Sequence, residues 1–316
     1  MRIRLLVAAV AAAALTACAT TGSGTIPAAH DAASTLNGSG LTPLSTFTAR
    51  DDATGTLVHV LPTRDALKAA RGNGRAVMGI NDLTYHGGPV QTAPKIYVVF
   101  WGSSWSTSAG DPYGVAARLK GFYGVIGGSG WLNTVTQYYQ SNGLHVGNAS
   151  GSFVGSYIDT SSSPPSSPTQ SQLAVEANRT AAHYGDYSIN AGYVVALPHG
   201  VRPAGFGSQY CATRSTTATS GGTMSYTILP YMPDAGASCG ANSVNSILDG
   251  VTIIAGAEQA DVETDPQPNS GWLNSSGQEI GDICTWTSPI DNPAAGGYAT
   301  RPLWSNATSS CVQSYP

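Results

Sequence analysis

Carboxylates concentrate in one short stretch of a chain that otherwise carries few charges. Charged residues make up 10% of the sequence, against about a quarter in ordinary globular domains. Clustered carboxylates can serve general acid–base catalysis or bind cations. The stretch from residue 258 to residue 282 therefore marks a candidate site. Its six carboxylates are Glu258, Asp261, Glu263, Asp265, Glu279 and Asp282.

Helical spacing brings part of this set onto one surface. Residues 248–263 begin apolar, become acidic and are followed by a proline, a pattern that predicts a helix. Residues four apart share a helix face, so Ala257 and Asp261 lie on one face with Glu258 beside them. We predict that this face and Asp282 line one polar pocket, in which mutual repulsion raises some carboxyl pKa values. The alternative is a solvated acidic helix end, with Asp282 capping a turn.

Two histidines extend the candidate set. His86 and His199 lie at the ends of predicted strands, and imidazole is a common metal ligand. With Asp261 and Asp282 they are the candidate metal ligands, and one hypothesis is an active hydrolase that uses His86, Asp261 and Asp282. The alternative is that each ring hydrogen-bonds to a loop backbone. The remaining histidines are His30, His59, His145 and His183.

Other chemistries find less support in the sequence. No Gly-x-Ser-x-Gly motif lies in a predicted strand–turn–helix context, which argues against a serine hydrolase of that type. Gly127-Gly128-Ser129-Gly130 is not followed by Lys-Ser or Lys-Thr, so it does not predict a phosphate-binding loop. No basic stripe occurs, and no nucleic-acid partner is expected. Aromatic side chains on a surface poor in charge are compatible with an extracellular glycan or peptide partner.

The N-terminus predicts export. Residues 1–17 contain two arginines followed by an apolar run that is shorter than the roughly 20 residues of a membrane span. Ala17-Cys18 then resembles the lipobox of bacterial lipoproteins, which predicts lipidation of Cys18 and attachment to the membrane of the cell envelope. Cleavage by an ordinary signal peptidase, giving an extracellular protein, is the alternative. Without residues 1–17 there are 12 basic and 18 acidic side chains, a formal charge of −6.

Four cysteines remain if Cys18 carries a lipid. An even number in an oxidising compartment predicts two disulfides, for which three pairings exist. We favour Cys211–Cys239 with Cys284–Cys311, since each closes a local loop. Zinc binding by these thiols is the competing interpretation, and the sequence has no Cys-x-x-Cys spacing to favour it.

Composition and periodicity divide the chain into four parts. Residues 1–17 are the signal peptide, 18–45 a flexible tether, 46–82 an N-terminal extension or pro-segment, and 83–316 the globular domain. Strands alternate with helices in the first half of that domain, so we predict an α/β (mixed α+β) fold with a central mixed sheet flanked by helices and a disulfide-stapled C-terminal region. The predicted strands are 95–101, 192–197 and 223–229, and the predicted helices, besides 248–263, are 112–125, 131–140 and 170–184.

Three segments resemble the phosphate-induced (exordium-like) protein family and its bacterial secreted relatives, over roughly residues 83–312. The first is Tyr85-His86-Gly87-Gly88-Pro89-Val90 with the strand that ends in Phe100-Trp101-Gly102. The second is the strand 193–197 with Gly205-Phe206 and Cys211. The third is the stretch 257–266 with Gly271-Trp272 and Glu279-Ile280-Gly281-Asp282-Ile283-Cys284.

This resemblance implies a zinc metallohydrolase-like scaffold, and the sequence departs from it twice. Relatives carry His-Glu-x-x-Glu on the last helix, which implies Glu258 as the catalytic general base and Asp261 as a zinc ligand. The first ligand position is Ala257, which has no ligating atom. Relatives also tend to have Cys-x-x-His where this chain places Arg214, whose fixed charge opposes a cation. Both replacements remove an imidazole.

Three hypotheses follow. The first is an exordium-like pseudoenzyme, lipid-anchored or secreted, whose metal site is degraded, so that no cofactor is expected. The second is a binding module for cell-wall or extracellular glycan. The third is an active metallopeptidase-like hydrolase that holds zinc with a different ligand set.

Overall fold

A computed structural model describes residues 40–72, 82–219 and 221–316. Within these ranges, no helix is long and apolar enough to cross a membrane. The prediction for Cys18 lies outside the described residues. The helices and strands, in chain order, are β1 (Leu41–Pro43), β2 (Thr48–Asp51), β3 (Leu57–Pro62), α1 (Arg64–Gly72), β4 (Thr84–Tyr85), β5 (Lys95–Trp101), α2 (Val115–Ile126), β6 (Phe153–Asp159), α3 (Gln170–Tyr184), β7 (Ala191–Ala196), β8 (Tyr210–Thr219), β9 (Gly222–Leu229), α4 (Asp249–Thr264), β10 (Trp272–Leu273), β11 (Ile290–Asn292), β12 (Tyr298–Thr300), β13 (Leu303–Ser305) and β14 (Ser310–Val312).

The main sheet is mixed and has the strand order β1-β2-β3-β8-β9-β7-β5-β6. One half, from β9 to β6, is parallel. The other half, from β1 to β9, is antiparallel. The parallel strands β5 and β7 are almost continuously apolar, because helices cover both of their faces. The predicted mixed sheet flanked by helices is confirmed.

The two faces of the sheet carry different helices. On β5, Ile96, Val98 and Phe100 join a core that includes residues of α2 and α4. Tyr97 and Val99 face the other way and pack in a second core with α3. Successive side chains of a strand point to opposite faces, so α4 and α3 cover opposite sides of the sheet. Residues that face α4 and residues that face α3 are therefore separated by the sheet.

Most predicted elements match the structure within a few residues. The strand 95–101 and the helix 170–184 have the bounds of β5 and α3. The helix expected over 131–140 is instead a short 3-10 helix, Leu132–Gln137. Helix α2 begins only after Gly114, where the Asp111 carboxylate accepts hydrogen bonds from the backbone N–H of Val115 at 2.6 Å and of Ala116 at 3.0 Å.

The sheet begins earlier in the chain than predicted. Strands β1, β2 and β3 come from the segments assigned to a tether and to an extension or pro-segment, and they form one edge of the main sheet. The boundary predicted at residue 83 therefore does not match the extent of the sheet. The physical reason is β3, whose residues are nearly all buried, because it lies between β2 and β8.

Two disulfides staple the second half of the chain, in the pairing that we favoured. Cys211 bonds Cys239, which links β8 to the segment before α4, and Cys284 bonds Cys311 near the C-terminus. The prediction of a disulfide-stapled C-terminal region is confirmed.

Candidate functional site: a buried acid cluster

Helix α4 brings the predicted catalytic residues into the interior. All 16 of its residues are buried, including Glu258, Asp261 and Glu263. A helix buried on every side is normally apolar all round, so acidic residues here need partners of opposite charge or protons. Gly256 allows this close packing, because a Cβ there would lie 2.8 Å from the Trp131 ring.

The turn after β10 supplies Glu279 and Asp282. The Gly281 backbone N–H donates to Asp261 Oδ1 at 2.6 Å, which ties the turn to α4. A Cβ on Gly281 would lie 2.8 Å from Asp261 Oδ2, so the close approach requires glycine. Asp282 Oδ2 accepts a hydrogen bond from the Glu279 N–H at 3.0 Å. Asp282 therefore does cap a turn, and it does so inside the cluster.

The main sheet supplies two basic groups. His59 on β3 is the register partner of Arg214 on β8, and both are buried. His59 Nε2 lies 3.1 Å from Asp282 Oδ2, and its Nδ1 lies 3.8 Å from Glu258 Oε2. Arg214 donates from Nη2 to Glu279, and its Nε lies 3.9 Å from Glu258 Oε2. The strand pairing thus faces an imidazole and a guanidinium toward the carboxylates of α4 and of the turn.

A second buried arginine, Arg301, adds positive charge to the cluster. Its charge acts on Asp261, Asp282 and Glu258. Its three guanidinium nitrogens have no hydrogen-bond partner among the described residues. On the acidic side, both Glu258 oxygens and Asp261 Oδ2 also lack a hydrogen bond. Opposite charges therefore lie near one another in the cluster without being fully paired by hydrogen bonds.

Burial and neighbouring charges shift the pKa values of the cluster, and burial is a larger cause than the repulsion between carboxylates that the sequence predicts. Burial and the negative charge of Asp282 raise the pKa of Asp261 to about 7. Burial raises the pKa of Glu279 well above its usual range, although Arg214 opposes the shift. Burial alone would lower the pKa of His59, but Glu279 and Asp282 outweigh it and hold that pKa well above the ordinary value. The cluster therefore holds protons on some of its acids and on the imidazole.

Three side chains meet the ligand count of a catalytic zinc site. His59, Asp261 and Asp282 each offer one ligand atom, and these atoms lie within 4.8 Å of one another. Catalytic zinc is commonly held by three such protein ligands. The surrounding charges do not suit a cation, because Arg214 and Arg301 are buried in the same cluster. The number of donor groups fits zinc, but the positive charges around them disfavour a bound cation.

The predicted site residues separate into two groups in space. Glu258, Asp261 and Asp282 come together, and Arg214 lies with them. Ala257 is buried in α4 and offers no ligating atom.

The two predicted histidines lie elsewhere, on the surface. His86 Nε2 hydrogen-bonds with Thr84 Oγ1 at 3.2 Å, and His199 Nδ1 lies 2.5 Å from Asp234 Oδ1. Both residues are exposed, whereas the cluster is buried. They do not join the carboxylates. The His86 ring stays on the surface although β4 pairs with β10, the strand before the turn, and the His199 ring is held by Asp234.

Sequence reasoning missed His59 and Arg301. His59 interrupts the apolar run Leu57-Val58-His59-Val60-Leu61, and a single ionisable residue inside a buried strand is a signal that could have identified it. Arg301 precedes a short strand in the C-terminal region, and nothing in its local sequence marks it.

The comparisons with known proteins add no relative. No family model, no characterised protein and no solved structure matches this chain.

Proposed function

We propose that this protein is an exported, exordium-like protein of the bacterial cell envelope, anchored by a lipid on Cys18, that binds an extracellular ligand and does not hydrolyse it. On this proposal, the metallohydrolase-like acid cluster has become an internal ion-pair network. The export signal and the three family-like segments of the sequence support the first part. The acid cluster supports the second.

The contacts of Arg214 are the observation that supports the loss of hydrolysis most directly. Its guanidinium donates to Glu279 and to the Asp265 carbonyl oxygen, the latter at 2.5 Å, and lies beside Glu258. A permanent positive charge at this position neutralises carboxylates that a cation would otherwise neutralise. The burial of the cluster supports the same conclusion, since side chains of His59, Glu258 and Asp282 are at most 2% exposed. A polymer substrate needs a cleft that reaches the reacting groups.

A metal-dependent hydrolase is the second candidate. It is favoured by the convergence of His59, Asp261 and Asp282. In that enzyme the three side chains would hold zinc, which would supply an activated water, and Glu258 would handle the proton. The predicted ligand set containing His86 is replaced here by one containing His59.

Zinc titration by calorimetry separates the two candidates. We expect little or no binding by the unmodified protein, a small gain for Ala257→His or Arg214→His alone, and the largest gain when the two are combined. His86→Ala is the matched control, because it removes an exposed imidazole outside the cluster. Thermal unfolding of each variant establishes that it is folded.

Two results of the zinc titration would contradict parts of the proposal. Tight binding of one zinc ion by the unmodified protein, abolished by His59→Asn, would replace the ion-pair network with the hydrolase. A folded double variant without any gain in zinc affinity would contradict the mapping onto a metallohydrolase scaffold.

A further inference from the structure

A hydroxyl-lined cavity lies on the side of the main sheet opposite the acid cluster. Its volume is about 270 Å³, and it is lined by the first turn of α3 and by residues 51–58, β8 and β9. On β8, Ser215 follows Arg214 and therefore points to the opposite face. Ser215 pairs with Val58 and Tyr226, which line the same cavity. The cavity is thus separated from the cluster by the sheet itself.

The lining has an unusual composition for a protein cavity, since apolar groups normally dominate. Eight of the lining residues carry a hydroxyl group, and one residue with a carboxylate (Asp51) and one with an amide (Gln170) join them. No lysine, arginine or histidine is among the lining residues. Hydroxyl groups both donate and accept hydrogen bonds. This lining suits a ligand that is rich in hydroxyl groups, and the Asp51 carboxylate disfavours an anion.

Gln170 adds an unsatisfied polar group to the lining. Its side-chain carbonyl oxygen Oε1 has no hydrogen-bond partner among the described residues, although the residue is only 7% exposed. A buried acceptor without a donor carries a desolvation penalty of about 1–3 kcal/mol. The oxygen itself has almost no accessible surface, so a ligand hydroxyl group would reach it once the Gln170 side chain turns toward the cavity.

Several lining groups are held in place before any ligand arrives. Asp51 Oδ2 accepts a hydrogen bond from Thr54 Oγ1 at 2.5 Å. Ser215 Oγ donates to the Leu57 carbonyl oxygen at 2.6 Å, and Asn178 donates to Thr217 Oγ1 at 3.0 Å. Preorganised groups lose little entropy on binding, so the fixed positions of these lining groups favour the binding of a ligand.

We propose that this cavity binds one neutral hexopyranose, either free or as the end unit of a glycan chain. The volume of about 270 Å³ is enough for one sugar ring, and further units of a glycan chain would lie outside the cavity. Tyr226 supplies an aromatic group beside the hydroxyls. This inference rests on the ligand-binding part of the proposed function, for which it gives the chemical class of the ligand. It does not depend on the proposed loss of hydrolysis, because the cavity and the acid cluster share no residue.

Calorimetric titration tests the proposal with defined sugars. The neutral probes are glucose, galactose, mannose and N-acetylglucosamine, and the anionic probes are glucuronate and glucose 6-phosphate. We expect at least one neutral hexose to bind with a dissociation constant in the millimolar range, and the anionic probes to bind at least about tenfold more weakly. Oligosaccharides of the same sugars distinguish the sources, because tighter binding of an oligosaccharide identifies a chain end. If no neutral hexose and no oligosaccharide binds, the proposal is wrong.

Two variants and one control locate the binding. Ala174→Phe fills the cavity and should abolish binding, and Gln170→Leu should weaken it about tenfold, the equivalent of one hydrogen bond. Val175→Phe is the control, since Val175 is 56% exposed on the next position of α3 and lines a neighbouring groove instead. Thermal unfolding should show that Gln170→Leu is no less stable than the unmodified protein. Hexose binding that is unchanged in both folded variants would overturn the assignment to this cavity.

Discussion

Arg214 and Glu279 form a buried pair in the acid cluster, in which the guanidinium donates a hydrogen bond to the carboxyl group. Both side chains are at most 1% exposed, and a buried charge that loses its partner typically costs about 3–5 kcal/mol. We expect Arg214→Met to lower the free energy of unfolding by about that amount. Adding Glu279→Gln should recover a large part of the loss, because it removes the buried carboxyl group that loses its Arg214 partner.

Denaturant unfolding of the four proteins gives the coupling energy for this double-mutant cycle. Arg50→Met serves as the control, since Arg50 is exposed and donates to a loop carbonyl, Gly55 O. It should change stability by less than about 1 kcal/mol. Additive losses in the double variant would show that the two side chains do not act as a pair.

Glu263 makes stability depend on pH in a defined direction. Burial raises its pKa to about 8, although a hydrogen bond from Gln259 opposes the shift. The folded protein therefore keeps the proton up to about pH 8, whereas the unfolded chain releases it near 4.5. The contribution of this group to stability is complete below pH 4.5 and is lost as the pH rises towards 8, because each pH unit in that window costs about 1.4 kcal/mol.

Glu263→Gln should remove this dependence. We expect the variant and the unmodified protein to be about equally stable at pH 4, and the variant to be more stable by up to about 4 kcal/mol at pH 8 and above. Urea unfolding across this pH range measures the difference. The exposed Asp65→Asn is the control and should stay within about 1 kcal/mol at every pH. A constant difference for Glu263→Gln would show that Glu263 is ionised in the folded state.

The site residues that could be predicted from sequence are those that are close in sequence. Glu258 and Asp261 share one helix, and the density of acidic residues after that helix also indicated Asp282. His59 lies 223 residues from Asp282 along the chain, and only the pairing of β3 with β8 brings it to the cluster. Strand register depends on the packing of the whole sheet, so local patterns identify the carboxylates and miss their buried basic partners.

At the scale of elements, the edge formed by β1, β2 and β3 is part of the main sheet. Strand β3 pairs with β8, and its removal would expose the β8 backbone and the buried Arg214. Exposed strand edges promote aggregation. We expect a chain that begins at residue 83 to fail to form a soluble folded monomer, whereas a chain that begins at residue 40 should fold.

Size-exclusion chromatography and circular dichroism of the two truncated chains check this expectation. A soluble, cooperatively unfolding chain that begins at residue 83 would show that residues 46–82 are a removable pro-segment, the alternative left open by their sequence. Strands β5 and β7 could be predicted because their apolar runs are continuous, and β9 because apolar residues alternate with threonine and serine. Strands β1, β2 and β8 could not, because they are short or rich in threonine and serine.

For the whole molecule, the proposed lipid anchor would hold the protein at the cell envelope. The apolar run and Ala17-Cys18 predict lipidation of Cys18. We expect Cys18→Ser to move the protein from the membrane fraction to the soluble fraction of lysed cells. Cys239→Ser is the control, because it breaks the disulfide to Cys211 and leaves the anchor in place. A Cys18→Ser protein that still fractionates with membranes would contradict the anchor.

We infer that buried basic side chains, and not a metal ion, balance the acid cluster. Elemental analysis of the protein, purified from its native source without chelators, measures whether a metal ion is present. We expect far less than one zinc, iron, manganese or copper ion per chain, and no loss of thermal stability after treatment with a chelator. One tightly held metal ion per chain, whose removal lowers the melting temperature of the unmodified protein but not of a folded His59→Asn variant, would contradict it.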